Sequence, residues 1–424
     1  MSHGDTRPVR INDSESLNSL IWADDLLILS ETENGLKTML KNLMSYTEEN
    51  SMQVNLDKTK CMIFNKTGRL IRRTFYFGDT KLEMVNEYRY LGLLVTPSFN
   101  ITTALVDLRD RGLRAYGALK AKLGISFRNH VPTTLYLFDS LIKPIILYAS
   151  DFWATLNLPQ NNPVEVFHRK FCKQLLGVHT QTTNLAVYLE LGRLPLELYG
   201  KKNAAKNWDR IYLKQTGNEL LLSSCNEPEN TWISSVKKTF EKVGMLDVFL
   251  NENPSPTTTT FCALFDREKD IFTQTAFEAL KSMSKMKTYK FLKQSWKVED
   301  YLLRAGNVSD RTALTKLRLS DHTLAIEKGR HENINESDRT CPFCPGQVED
   351  EFHFLIKCPT FKYLRKSLLD DVEVLCIGFS YPQDQDFLMW LLLNNPIISD
   401  STGKFIRSSM ELRAFLLEQH RNFD

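Results

Sequence analysis

The chain has 424 residues, enough for two to four domains, and its 42% hydrophobic and 25% charged content is that of an ordinary globular protein, not of a low-complexity or disordered one. Its net charge of +3 conceals an asymmetry: residues 58–214 hold 24 Lys plus Arg against 11 Asp plus Glu, a balance of +13 that leaves −10 for the rest and suits a polyanion-binding middle. The polar first 18 residues lack a leader's apolar core, the apolar stretch 135–153 is broken by Asp139, Lys143, Pro144 and Asp151, and eight cysteines are sparse, so the chain is expected inside the cell, in nucleus or cytoplasm.

In chain order, residues 17–29 read as two short strands joined at Ala23-Asp24-Asp25, an acidic turn between apolar runs that should anchor it in a core. Ser30 and Glu33 have capping-box spacing and open a helix to about residue 50, with Leu36, Leu40 and Leu43 on one face. Met52, Val54 and Leu56 alternate as a strand. Residues 75–82 read as a hairpin around Gly78-Asp79, and Tyr88 to Val95 follow as another extended segment.

After Pro97 the pattern turns helical. Residues 105–123 form a basic amphipathic segment, 132–148 an apolar helix bent at Pro144, and 164–176 and 196–213 continue the helical pattern. Linkers are expected at 226–230 and 251–260. Residues 261–303 carry lysines at 281, 285, 287, 290, 293 and 297 with no acid between them, and Tyr289, Phe291 and Trp296 are interleaved with this series. Residues 361–424 read as a helical tail.

Cys341-x2-Cys344-x8-His353-x4-Cys358 has the spacing of a small zinc knuckle, and Cys₃His completes a tetrahedral Zn²⁺ site. A helix reaching Lys357 must end before Cys358, since five residues exceed one α-turn, and Phe352, Phe354 and Leu355 form a miniature core too small to hold without metal. The knuckle either contacts single-stranded nucleic acid or is purely structural.

Adjacent carboxylates at a tight turn suit two-metal phosphoryl transfer, in which Mg²⁺ ions roughly 3.5–4 Å apart activate a hydroxyl and neutralise the leaving group. The order Ala23-Asp24-Asp25, capped helix, Asn55-Leu56-Asp57-Lys58-Thr59, Tyr90-Leu91-Gly92, then Leu141-Ile142-Lys143-Pro144 and Lys316-Leu317-Arg318 leading into the knuckle, resembles the C-terminal portion of a non-LTR (LINE-type) retrotransposon reverse transcriptase. Trp22 stands where that family has Tyr or Phe.

The resemblance implies an α+β palm remnant at 1–97, a mostly α-helical thumb at 98–222, a helical connector at 223–335, the CCHC zinc knuckle at 336–360 and a tail at 361–424. It implies Mg²⁺ on Asp24 and Asp25, with Lys58 or Lys60 assisting the pyrophosphate. Tyr90 and Gly92 would belong to the primer grip. Arg109, Arg111, Arg114, Lys120, Lys122 and Arg128 are the candidates for phosphates of an RNA template and DNA primer or their hybrid, and the lysine series is a second basic candidate. Neither Asp5 nor Asp13 looks like the further catalytic Asp on a buried strand, and no fingers segment is legible, so the chain is expected to be an inactive fragment of an RNA-directed DNA polymerase. The alternative is a non-catalytic zinc-containing RNA- or DNA-binding protein derived from such an element.

Overall fold

The computed structural model describes residues 6–124, 126–156, 158–212, 231–250, 258–304, 306–376 and 379–423. The described residues are mostly helical, and their strands form six separate two-stranded sheets. Among the described residues no helix is long and apolar enough to cross a membrane. Two units emerge: Met1–Asp110, Ile146–Val164 and Glu197–Glu268 in the first; Arg111–Ile145, Glu165–Leu196 and Lys269–Asp424 in the second. The linker expected at 226–230, most of that at 251–260, and Asp5 and Cys225 lie outside the described residues.

In the first unit, Ser19–Trp22 pairs antiparallel with Asp25–Ile28, with Trp22 opposite Asp25. The helix Glu33–Glu49 follows, but its cap is Thr32, not Ser30: Thr32 is extended (φ −130°, ψ 152°) and its hydroxyl accepts the Gly35 N–H at 3.1 Å. Ser30 is engaged elsewhere, donating its hydroxyl to the Thr6 carbonyl at 2.9 Å. Losing a cap of this kind costs about 1 kcal/mol. Thr32→Ala should therefore destabilise the first unit by about that amount, read as a lowered urea midpoint, and an unchanged midpoint would disprove the assignment.

Leu36 and Leu40 lie on the inner face, packing with Cys61, Phe75 and Leu82 into a core that Leu56, Ile63, Phe77 and Met84 complete. The strand expected at 52–56 does not form. The Asn55 carbonyl instead accepts the N–H groups of Lys58 and Thr59 at 3.2 and 3.1 Å, and its side-chain oxygen also takes Lys58 N–H. This turn breaks the alternation, and only Lys60–Cys61 pairs, parallel to Glu83–Met84. Tyr76–Phe77 and Thr80–Lys81 form the expected hairpin.

A further hairpin, Tyr88–Tyr90 with Leu93–Val95, turns on two residues with positive φ, Leu91 at 45° and Gly92 at 84°, the signature of a type I′ loop. Gly92 also admits a close neighbour: a Cβ there would lie 3.2 Å from the Tyr148 ring, whose hydroxyl donates to the Leu91 carbonyl.

The apolar helix expected at 132–148, most of which lies in the second unit, is divided. Val131–Leu137 is α-helical, Phe138–Ile142 widens to a π-turn, and Lys143–Ile146 resumes. Pro144 has no N–H for the Ser140 carbonyl and its ring crowds it, so the turn before it widens. Phe138 stacks on Phe171 at 3.9 Å, with Tyr116, Phe127 and Phe167 around them.

Farther along, Val308–Arg318 packs against Ser399–Phe423. Gly403 permits that approach, since a Cβ there would sit 2.4 Å from the Asp310 carbonyl oxygen.

Candidate metal centre and acidic hairpin

Thr340–Cys341 pairs antiparallel with Cys344–Val348, setting Cys341 opposite Cys344 across a two-residue turn. The chain then enters the π-turn His353–Lys357, where the Cys358 N–H donates to the His353 carbonyl at 2.8 Å. This i→i+5 bond brings His353 and Cys358 to one side, which an α-turn could not do, and the helical segment ends before Cys358 as its spacing demands.

One ligand atom from each of Cys341, Cys344, His353 and Cys358 lies within 4.8 Å of the others, and all four residues are buried. The Sγ of Cys358 stands 4.0 Å from that of Cys341 and 3.7 Å from that of Cys344. A tetrahedron with Zn–S bonds of about 2.3 Å has S···S edges of about 3.8 Å, so the pocket is already close to metal size.

Two further observations fit a cation. His353 Nε2 is buried without a hydrogen-bond partner. Burial also pushes the Cys341 thiol up to about 12, raises Cys344 and depresses His353, so neutral imidazole is the resting form and thiolates need a positive ion beside them. The Cys₃His set can hold a metal such as Zn²⁺, and four protein ligands leave no open position, which marks a structural site.

The residues around the ligands come from distant sequence. Asp350 accepts the His353 N–H at 2.7 Å. Glu349 takes two hydrogen bonds from Arg413, both 2.6 Å, and one from the Ala325 N–H at 2.7 Å. Arg365 donates to the carbonyls of Leu355 and Cys358 at 2.6 and 2.8 Å. Phe354 meets Phe361 edge-on at 5.1 Å and Phe405 at 6.0 Å, so the expected miniature core joins the helices beyond it. Ligand spacing reveals none of these partners.

At the acidic turn, Asp24 occupies the loop after Ala23, whose φ is 53°, and Asp25 starts the second strand; both are exposed. The apolar flanks do not anchor the turn as expected: Ile21 is 73% and Trp22 68% exposed, and Leu20 and Leu26 also face out. Two paired strands carry outward apolar side chains unless another layer covers them, and nothing does so among the described residues. Nor does a third carboxylate, His or Cys among them join Asp24 and Asp25 in a metal-holding group.

Lys58 is exposed beside the Asn55 turn, while Lys60 pairs with Glu83 at 2.6 Å. Tyr90 closes its strand and Gly92 its loop, as described above.

The basic candidates divide. Arg114, Lys120 and Lys122 are exposed on the second half of the helix Ile101–Leu123, Lys120 lying 6.0 Å over the Phe127 ring. Arg109 pairs with its neighbour Asp110 at 2.7 Å, and Arg111 is half-buried. Arg128 is structural, donating to the Thr312 hydroxyl and the Leu176 carbonyl, and burial lowers its pKa.

The lysine series is not the free basic face its sequence suggests. Glu278, Glu327, Glu336, Glu299 and Asp300 pair with Lys281, Lys285, Lys287, Lys293 and Lys297, and Lys290 donates to the carbonyls of Lys281 and Met283. Tyr289 is buried, Trp296 sits edge-on to Phe272 at 5.3 Å, and Phe291 stays exposed.

Fold and site thus define a mostly helical protein with small β-hairpins and a buried Cys₃His centre able to hold a metal. No family model matches the chain. It is 27% identical over 175 residues to an uncharacterized transposon-derived protein of Caenorhabditis elegans, a match covering 40% of this chain and 60% of that protein. The chain therefore spans less than two thirds of that relative's length, and the relationship points to a transposon origin.

Proposed function

We propose that the chain is part of a LINE-type RNA-directed DNA polymerase, contributing the acidic palm hairpin, the thumb and the zinc module. The observation that carries this reading is the Trp22-Ala23-Asp24-Asp25 turn, which holds two adjacent carboxylates on a two-stranded scaffold ahead of the other motifs in the family's order. The transposon-derived relative supports the origin.

In this reading Asp24 and Asp25 would hold Mg²⁺, which when bound supplies activation of the 3′-hydroxyl and neutralisation of pyrophosphate. In this reading exposed Lys58 takes the leaving-group role rather than Lys60, which Glu83 holds. The tight loop at Gly92, braced by Tyr148, suits a primer contact. Arg114, Lys120 and Lys122 meet phosphates of a template–primer duplex. Residues 1–97, 98–222, 223–335, 336–360 and 361–424 serve as palm, thumb, connector, knuckle and tail.

Two-metal chemistry needs a further carboxylate, and none of the described residues brings one to this turn. That favours a second reading, a non-catalytic nucleic-acid-binding derivative of such an element.

Primer extension on an RNA template with Mg²⁺, beside Asp24→Ala, separates the two. The chain alone is expected not to extend, and to bind RNA–DNA hybrid with log K falling against log salt at a slope of about −2 to −3, as three phosphate contacts require. Extension that Asp24→Ala abolishes would show that the site is complete as it stands. Salt-insensitive or absent binding would sink both readings.

A further inference from the structure

A zinc ion held by three thiolates and a neutral imidazole is a centre of net charge −1, and all four of its ligands here are buried. A buried net charge is costly unless an opposite charge lies beside it. The charged groups that act on His353 are Asp350, Glu349, Arg365 and Lys357. Glu349 is neutralised by its two bonds to Arg413, and Asp350 is itself an anion. Lys357 is exposed, its ammonium lying 5.0 Å over the Phe352 ring.

That leaves Arg365, on the helix Lys362–Leu375. Its guanidinium is turned back onto the π-turn, where it donates to the carbonyls of Leu355 at 2.6 Å, Cys358 at 2.8 Å and Phe354 at 3.3 Å. No carboxylate is among those partners, so its positive charge is not spent on an ion pair there.

We propose that Arg365 is the counter-ion and positioning residue of the Cys₃His metal centre. It offsets the charge of the three thiolates and clamps the backbone that aims Cys358, so that metal occupancy also orients the helix carrying it. An orienting partner of this kind is worth about 10–100-fold in metal affinity. Arginine suits the task because its planar fork reaches several carbonyls at once and keeps its charge when part-buried.

Zinc affinity of the full chain, measured by competition with a chromophoric chelator, tests this without any activity assay. Arg365→Gln is expected to bind zinc about 10–100-fold more weakly. Arg365→Lys, which keeps the charge but loses the fork that reaches three carbonyls, should recover most of that loss and stay within about fivefold of wild type.

Cys344→His separates this role from that of a simple carbonyl cap. Cys344 borders an open hollow of about 340 Å³ that can take an imidazole. With that substitution the loaded centre becomes neutral, and adding Arg365→Gln should then cost little affinity. An equal loss in both backgrounds would reduce Arg365 to a backbone cap and overturn the proposal, as would wild-type affinity in Arg365→Gln. If Arg365→Gln does not fold even with excess zinc, Arg365→Lys decides: affinity within about fivefold supports the proposal, and a larger loss overturns it.

Discussion

Stripping zinc from the chain with a strong chelator is expected to abolish hydrogen-exchange protection from Cys341 to Cys358. The helix pair Val308–Arg318 and Ser399–Phe423 should stay protected. Structural zinc binding at neutral pH is worth about 10–16 kcal/mol. The apolar side chains that bury with the π-turn, Phe354, Leu355 and Ile356, contribute roughly 2–3 kcal/mol each. A bound zinc would thus be the larger local term.

The helix pair has its own contacts, including Arg407 to Asp310 at 2.6 Å, and should survive the loss. Cys358→Ser should reproduce the effect even with zinc present. Protection that persists after chelation would mean that packing alone holds the site.

Acid should act in the same direction. Three thiols must lose protons to bind, whereas His353, depressed by burial, has none to release near neutral pH. Affinity therefore rises with pH by up to three protons per ion below the thiol pKa values, and falls as pH is lowered.

Arg318→Met is expected to cost the second unit about 3–5 kcal/mol, read as a lowered urea midpoint. Arg318 is fully buried, and its guanidinium serves Glu190 at 2.8 Å, Glu299, the Leu393 carbonyl at 2.7 Å and the Asn394 side chain at 2.6 Å. Tyr289 and Tyr301 also donate to Glu190, at 2.9 and 2.7 Å, and Lys293 pairs with Glu299.

The network is balanced, with two cations against two carboxylates. Removing Arg318 strands Glu190 in a site that water does not reach. A loss below about 1 kcal/mol would show that Glu190 finds another partner or a proton cheaply.

Its pH dependence follows from Glu190. Burial opposes the carboxylate, but Arg318 outweighs it and holds the pKa below the ordinary value. A depressed carboxylate contributes fully above the unfolded value of about 4.3 and loses that contribution as pH falls through the folded one. The network should therefore be intact at neutral pH and fail only in acid.

What could be read from the sequence was local. The Cys-x2-Cys, His and Cys spacing picks out the four residues that the fold gathers within 4.8 Å, because short turns confine those side chains whatever surrounds them. The acidic hairpin and the helix behind it are legible for the same reason: turn preference, capping and periodicity act over a few residues. Even there the cap moved from Ser30 to Thr32, since Ser30 found a carbonyl 24 residues away.

Tertiary structure decided which charges are available. The lysines at 281–297 have no acid between them in sequence, yet glutamates from other segments pair with several. Arg318, one residue of a short motif, became the hub of a buried network, and Arg365 reached the Cys358 carbonyl from the following helix. Electrostatic partners are chosen by proximity in space under a low dielectric, and a linear pattern holds no information about that until the chain has folded.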